Sequence, residues 1–285
     1  MAKRIPESLL LAILRRAAEL QNVADQSIAD GEDVAVEFED QAGGYSVEAA
    51  RAAAREAGIA SESFTLTLAA MTSQRGGAVS DERLRRAVSF LGSSRWSYQV
   101  AVRAPVPAQR LLDALNAVAF TPRFSLTADR MVGNDPLEDG VLVFRTAGWD
   151  QWSWTYHAKF VNWVCFAGVR RILVLVRPAP GNRDRSRAVI YAPLNRALRV
   201  NHVLGAVICG LVGVFAGAGV WFVTSAVPPL GAAFAVVGTF AGYRLALPGW
   251  RAVYRWKTRR AEDALRLLAD TVITTCRSAS GRSSA

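Results

Sequence analysis

The longest uninterrupted apolar run of the chain lies in its C-terminal half. No residue between positions 203 and 243 is charged, whereas a single membrane-spanning helix needs about 20 apolar residues. Pro228 and Pro229 fall near the middle of the run, and proline does not continue a helix interior. The pattern predicts a transmembrane hairpin over residues 203–248, with helices at 203–224 and 230–248 and a turn at 225–229.

Small residues recur at helical spacing on both predicted helices. Gly213 and Gly217 form a GxxxG motif on the first helix, Gly238 and Gly242 form one on the second, and Ala206 with Gly210 adds a small-xxx-small pair. Such residues let two helix backbones approach closely in a membrane. The motifs predict close helix packing, either within the hairpin or on another subunit.

Positive charges flank this hairpin on one side only. The basic side chains next to it are Arg196, Arg199, Arg251, Arg255, Lys257, Arg259 and Arg260. Because positively charged flanks stay inside the cell, both termini are expected in the cytoplasm and the protein in a bacterial inner membrane. The same side chains are candidates for contact with anionic lipid headgroups at the membrane surface.

The first quarter of the chain is predicted to be helical with one acidic interruption. Residues 1–24 carry apolar side chains at helical spacing, residues 25–44 form an acidic linker, and residues 45–72 form a helical pair broken at Gly58. The pair resembles a small helix-turn-helix unit. Its only basic side chains are Arg51 and Arg55, too few for a phosphate-binding face, so nucleic acid is not an expected partner.

From residue 96 the hydrophobic period changes from helical to alternating. The alternation at 96–104 predicts a strand, residues 107–118 a helix, and an apolar stripe at 251–276 a closing helix. Turns are expected at 134–140 and 178–185, and a disordered tail at 277–285. Further strands are predicted at 141–146, 153–159, 172–176 and 188–192. The expected fold class is α+β: an N-terminal helical segment, an antiparallel curved sheet with helices, and the transmembrane hairpin.

One stretch resembles a known family. The string WSYQVAVRAPVPAQRLLDALNAVA, together with the order strand, helix, strands and long final helix, resembles the START/Bet v 1-like (SRPBCC) superfamily. The resemblance implies a cytoplasmic START-like domain from residues 95–200 plus 251–276, with the hairpin inserted before the closing helix. It also implies an apolar cavity between that helix and the sheet, of the kind that holds lipids or other apolar molecules.

Chemically reactive constellations are sparse. Trp152, Trp154 and Tyr156 share one face of a predicted strand, where they could line an apolar pocket, touch headgroups or simply pack in the core. His157 and His202 have no evident nucleophile or metal-ligand partner. The three cysteines are far apart, so they are expected as free thiols, with no metal and no cofactor. No pattern predicts an enzyme.

Composition limits the remaining function classes. The mean hydropathy of +0.16 is too low for a transporter with many spans. Residues 1–82 carry about 14 acidic and 7 basic groups, so the net charge of +10 arises from the rest of the chain. The sequence predicts a membrane-anchored, non-enzymatic cytoplasmic module that binds an apolar or lipid ligand. The alternative is an accessory structural subunit of a larger bacterial membrane complex, for example a bioenergetic one.

Overall fold

The computed structural model describes residues 4–5, 7–25, 45–73, 81–93, 97–138, 140–146, 159–224 and 228–282. Helices and strands alternate irregularly along the chain. In order they are β1 (Arg4–Ile5), α1 (Glu7–Asp25), β2 (Tyr45–Ser46), α2 (Val47–Glu56), α3 (Ser61–Ser73), α4 (Asp81–Leu91), β3 (Ser97–Ala104), α5 (Ala108–Ala119), β4 (Thr127–Val132), β5 (Val141–Arg145), α6 (Lys159–Phe166), β6 (Arg171–Ala179), β7 (Asn182–Pro193), α7 (Asn195–Thr224) and α8 (Pro228–Arg282).

Five strands form one antiparallel sheet in the order β3-β7-β6-β5-β4. The central strands β6 and β7 carry long apolar runs because both of their faces are covered by helices. β1 and β2 pair separately as a two-residue ladder. The predicted α+β class and antiparallel sheet are confirmed.

One face of the sheet packs against α5 and the second half of α8. The predicted inward positions of α5, Leu111, Leu112, Leu115 and Val118, are all buried. So is the predicted stripe of the closing helix: Ala261, Leu265, Leu268, Val272 and Cys276. These side chains and the apolar residues of β3, β6 and β7 form one contiguous cluster. Within the described residues, side chains therefore occupy the layer between the sheet and α8.

The opposite face of the sheet is covered by α3. Leu66, Ala69 and Ala70 of α3 pack on β5, β6 and β7, while Phe64 and Leu68 face α1 and α2. The predicted break between α2 and α3 is confirmed at Gly58, whose φ of +73° favours glycine. The N-terminal helices thus form a third layer that reaches the sheet through α3.

α7 and the first half of α8 form an antiparallel helical hairpin. Trp221 lies beside Gly231 near the turn, and Gly205 lies beside Trp250 at the other end. α8 is one continuous helix of 55 residues that runs through Pro248. The sequence predicted two separate helices there, one at 230–248 and a closing helix over 251–276. Continuity is retained because packing on both sides of Pro248 fixes the helix.

Several predicted boundaries are wrong. The turn expected at 178–185 shrinks to Pro180 and Gly181, because β6 and β7 pair almost to the tip of their hairpin. The disordered tail expected from Arg277 is helical as far as Arg282, since extending an existing helix costs less than starting one.

Five elements were not predicted at all: the short strands β1 and β2, the helices α4 and α6, and the edge strand β4. Lys159, the end of the strand predicted at 153–159, begins α6 instead. The rest of that segment, with Trp152, Trp154, Tyr156 and His157, lies outside the described residues. The acidic linker lies outside them from residue 26 to residue 44.

Candidate site at the base of the hairpin

The outer surface of the hairpin is apolar and exposed. Phe215, Phe222 and Val223 of α7 are 75–85% exposed, and Leu245 of α8 is 79% exposed. Among the described residues, one helix, α7, is long and apolar enough to cross a membrane, and 22% of its most apolar stretch is buried inside the protein. A core helix of a soluble protein would be buried over most of its length. Apolar surface this extensive marks an interaction surface.

The four glycines of the GxxxG motifs lie between the two helices of the hairpin. A Cβ at Gly213 would stand 2.7 Å from the Thr239 carbonyl oxygen, and one at Gly242 would stand 2.7 Å from the Ala216 side chain. Gly217 meets Thr239 and Ala235, and Gly238 meets Val220. In this chain the motifs therefore pack within the hairpin. Gly210 differs, because a Cβ there would meet open space.

The hairpin joins the rest of the protein beside the tightly packed side chain of Trp250. The side chain of Trp250 lies directly against Gly205, and its Nε1 donates a hydrogen bond to the Asn201 carbonyl oxygen at 3.1 Å. The Asn201 amide Nδ2 donates in turn to the Ala197 carbonyl oxygen at 2.8 Å. These contacts fix α7 and α8 to each other where both leave the domain.

Lys257 lies two turns further along α8, into the domain, and is buried. Only 5% of this residue is exposed. Its Nζ lies 4.1 Å from the ring centre of Phe166 and 5.0 Å from that of Trp250, both cation–π distances. Burial lowers the pKa of Lys257 because the charged form loses hydration. The sequence prediction that Lys257 faces the membrane surface is wrong, since its ammonium group is enclosed by aromatic rings of α6 and α8.

A further aromatic cluster of α6 and α8 includes Phe166, one of the rings next to this lysine. Trp256 packs edge-on against Trp163 at 5.1 Å and lies 6.4 Å from Phe166, while the Arg260 guanidinium lies 5.6 Å above the Trp163 ring. Trp256 remains 46% exposed. Tryptophans with one wet and one apolar side are enriched where a protein meets a membrane interface.

A group of arginines lies at the start of α7, on the same side of the molecule as the domain end of the hairpin. Partial burial, followed by repulsion from Arg170, Arg199 and Arg171, lowers the pKa of Arg196. Arg171 also forms an ion pair with Asp129 at 3.2 Å. The sequence singled out Arg196 and Arg199 but not the Arg170–Arg171 pair. Arg170 precedes β6 and Arg171 is its first residue, and only the fold brings them beside α7.

The remaining predicted basic residues divide into two groups. Arg255, Arg259 and Arg260 are exposed. Arg251 is half-buried, and its guanidinium donates to the carbonyl oxygens of Phe90 at 2.8 Å and Ser89 at 3.1 Å. Those carbonyls belong to the last turn of α4, which has no further helical N–H groups to accept from. Arg251 therefore attaches α4 to α8 instead of being free to meet lipid.

Comparisons with protein-family models, with curated proteins and with solved structures find no match.

Other reactive side chains are separated from one another. Cys165, Cys209 and Cys276 are buried, and none of them forms a disulfide bond within the described residues. The His202 ring stacks edge-on against Phe90 at 4.9 Å. Within the part of the chain that the structure describes, no three His, Cys, Asp or Glu side chains are grouped closely enough to hold a metal ion.

Proposed function

We propose that this protein is a non-enzymatic cytoplasmic binding module, anchored in a bacterial inner membrane by the hairpin of α7 and α8. The observation that supports this most strongly is the exposed apolar surface of the hairpin, with arginines and tryptophans at its domain end. Both arms of the hairpin span the bilayer in this proposal. The turn lies outside the cell, and both termini lie in the cytoplasm.

The lengths of the two arms support a complete crossing. Residues 203–224 give a helix of about 33 Å and residues 230–248 one of about 28 Å, against a hydrocarbon core of about 30 Å. Arg244 lies within the second arm, where its guanidinium stacks over Phe240 at 4.9 Å. It lies about one turn inside the cytoplasmic end of that arm, so it reaches the headgroups at modest cost.

Cysteine labelling tests the anchor and its orientation together. Ala226→Cys in the turn should react with a membrane-impermeant maleimide added outside spheroplasts, whereas Arg110→Cys in α5 should react only after lysis. Background labelling should be low because the three native cysteines are buried. Release of the protein from vesicles by carbonate, or labelling of Ala226→Cys only after lysis, would refute the proposal.

The membrane surface itself is the ligand that the geometry favours. The START-like arrangement remains part of the proposal, supported by the order of strand, helix, sheet and long final helix. Because side chains fill the described layer between the sheet and α8, we place lipid contact outside that layer, at Arg196, Arg199, Arg255 and Arg259. Each arginine near an anionic surface contributes about 1 kcal/mol of binding free energy.

Lipid retention tests this contact. Native mass spectrometry from nanodiscs that contain phosphatidylglycerol should detect bound anionic lipid, and the double substitution Arg196→Gln, Arg199→Gln should reduce it severalfold. The matched control, Arg110→Gln with Arg123→Gln, changes the net charge equally but alters exposed arginines on other elements. If both double variants lost the same amount of bound lipid, the effect would be due to net charge and not to contact at Arg196 and Arg199.

A second candidate function is that of an accessory subunit in a larger membrane assembly. Gly210 supports it, because with Ala206 it forms a small-residue pair that the hairpin leaves uncovered. Gly210→Leu should then abolish co-purification of a partner in mild detergent while leaving the anchored monomer intact. If the wild-type protein purifies only as a monomer, this candidate fails and the first is unaffected.

A further inference from the structure

Three arginines form a row across one end of the sheet. Arg187 on β7 is paired directly with Arg103 on β3 and with Arg177 on β6. Directly opposed residues project from the same face of a sheet, and like charges at such positions destabilise it. The fold therefore concentrates positive charge where sheet formation alone disfavours it.

Groups of the described residues partner two of these arginines. Glu62 of α3 forms an ion pair with Arg187, and Arg177 donates a hydrogen bond to the Val176 carbonyl oxygen at 3.3 Å. The Nε of Arg187 is buried and has no hydrogen-bond acceptor among the described residues. Asp184 is close along β7 but projects from the opposite face of the strand.

A cleft of about 490 Å³ opens at the same end of the sheet. Three arginines line it, none of the described residues that line it is acidic, and its apolar walls are alanine and proline. The lining residues are Arg103, Ala104, Pro105, Ala179, Pro180, Arg185, Ser186 and Arg187. Sites for small molecules commonly have volumes of about 300–1,000 Å³, with a few polar groups set among apolar walls.

We propose that this arginine cleft binds a small soluble molecule that carries two or more oxyanionic groups, phosphate or carboxylate, held by Arg103, Arg185 and Arg187. A guanidinium group presents two parallel N–H donors that match the oxygens of either group. The apolar walls would accommodate the uncharged part of the ligand.

The position of the cleft argues against a headgroup of the anchoring membrane. β7 runs from the cleft towards α7, and the nine residue-to-residue steps from Ser186 to Asn195 span about 30 Å at strand spacing. Charge–charge attraction in physiological salt is screened over about 8 Å. The cleft is thus a site separate from the basic residues at the base of the hairpin, and it does not depend on the proposed membrane function.

Calorimetry of the full-length protein in an uncharged detergent tests the site. Inorganic diphosphate and succinate are the two probes, titrated separately. We expect saturable binding of at least one, weakened about tenfold by Arg103→Gln or Arg185→Gln, since each substitution removes charge-assisted hydrogen bonds to the ligand. Binding of diphosphate alone would indicate a phosphorylated ligand, and binding of succinate alone a carboxylate.

The control is Arg110→Gln, which removes an exposed arginine from α5 and should leave the affinity unchanged. Arg103 and Arg185 are themselves exposed, so their variants should keep the wild-type melting temperature. No saturable binding of either probe would overturn the proposal. An equal loss of affinity in Arg110→Gln would overturn it as well, because the effect would then be one of net charge.

Discussion

Burial decides which of the positive charges beside the hairpin can meet a membrane. The same contact with the membrane surface was predicted for Arg251, Arg255 and Lys257. A count of charges does not show on which side of the helix each residue lies. The apolar stripe of α8 does show which side of the helix faces the core. Extended backwards from Ala261, the stripe passes through Lys257 and Tyr254 at helical spacing, and both are buried.

Replacing Lys257 with methionine should stabilise the protein. Lys257→Met keeps an unbranched side chain between Phe166 and Trp250 but removes a charge whose hydration is lost on folding. We expect a melting temperature at pH 7 that is higher by about 2–4 °C, measured in detergent. Lys257→Ala, which leaves a cavity, should melt below the wild type; a similar fall for Lys257→Met would contradict the prediction.

The advantage of Lys257→Met should shrink at alkaline pH. The pKa of Lys257 in the folded protein lies below its usual value of 10.5, so between the two values the unfolded chain binds more protons. Stability contributed by this group therefore rises with pH in that window. Melting temperatures of both proteins from pH 7 to pH 10.5 measure the effect, and a constant difference would refute it.

Gly205 is expected to be the least replaceable glycine of the hairpin. Gly205→Ala places a Cβ on the Trp250 indole, which is buried and donates to Asn201. Overpacking and loss of that hydrogen bond should together cost roughly 2–4 kcal/mol of unfolding free energy. Gly210→Ala is the control, since its Cβ meets open space. Thermal unfolding followed by tryptophan fluorescence should separate the two variants; equal melting temperatures would contradict this.

At the scale of elements, hydrophobic periodicity predicted the helices and strands that are buried on one face. It did not predict elements whose side chains are mostly exposed. β3, α5 and the stripe of α8 have alternating or helical apolar patterns, and they form as expected. β4 has almost every side chain exposed, so it is a strand only through its backbone pairing with β5. The polar start of β7 was taken for a turn for the same reason.

α4 shows a different failure. Leu84, Ala87 and Leu91 recur at helical spacing and are all buried, so the signal was present in the sequence. No helix was predicted between residues 73 and 95. Its place in the fold depends on contacts with α7 and on Arg251 of α8.

Arg251→Gln should loosen α4. Its guanidinium holds two carbonyl oxygens of the last turn, and losing these charged hydrogen bonds should cost roughly 1–3 kcal/mol. Hydrogen exchange should become faster in α4 while the exchange of β6 and β7 stays unchanged. Arg255→Gln, one turn along and exposed, is the control and should have no effect. Unaltered exchange in α4 would show that Arg251 is not what holds it.

At the scale of the whole molecule, α3 connects the N-terminal helices to the sheet. The sequence predicted this helix but not its position, because a helix with apolar residues on two faces does not reveal which neighbour each face meets. Its two buried threonines, Thr65 and Thr67, satisfy their hydroxyls within the helix by donating to the Ser61 and Ser63 carbonyl oxygens. Both faces of α3 can then be buried, one against the sheet and the other against α1 and α2.

Leu66→Ala should destabilise more than its own layer. Leu66 is 2% exposed between α3 and the sheet, and truncating such a side chain costs about 2–5 kcal/mol. Hydrogen exchange should become faster in α1 and α2 as well as at Val141 and Val143 beneath it. Faster exchange in the sheet with no change in α1 or α2 would show that the N-terminal layer folds independently.

α8 is about 80 Å long, and it belongs to the hairpin over one part and to the domain over the other. The hairpin and the domain therefore tilt and rotate together. One residue inserted between Leu247 and Trp250 would turn them by about 100° relative to each other. In the membrane orientation proposed above, a thinner bilayer that tilts the hairpin would likewise reorient the sheet and the arginine cleft relative to the membrane plane.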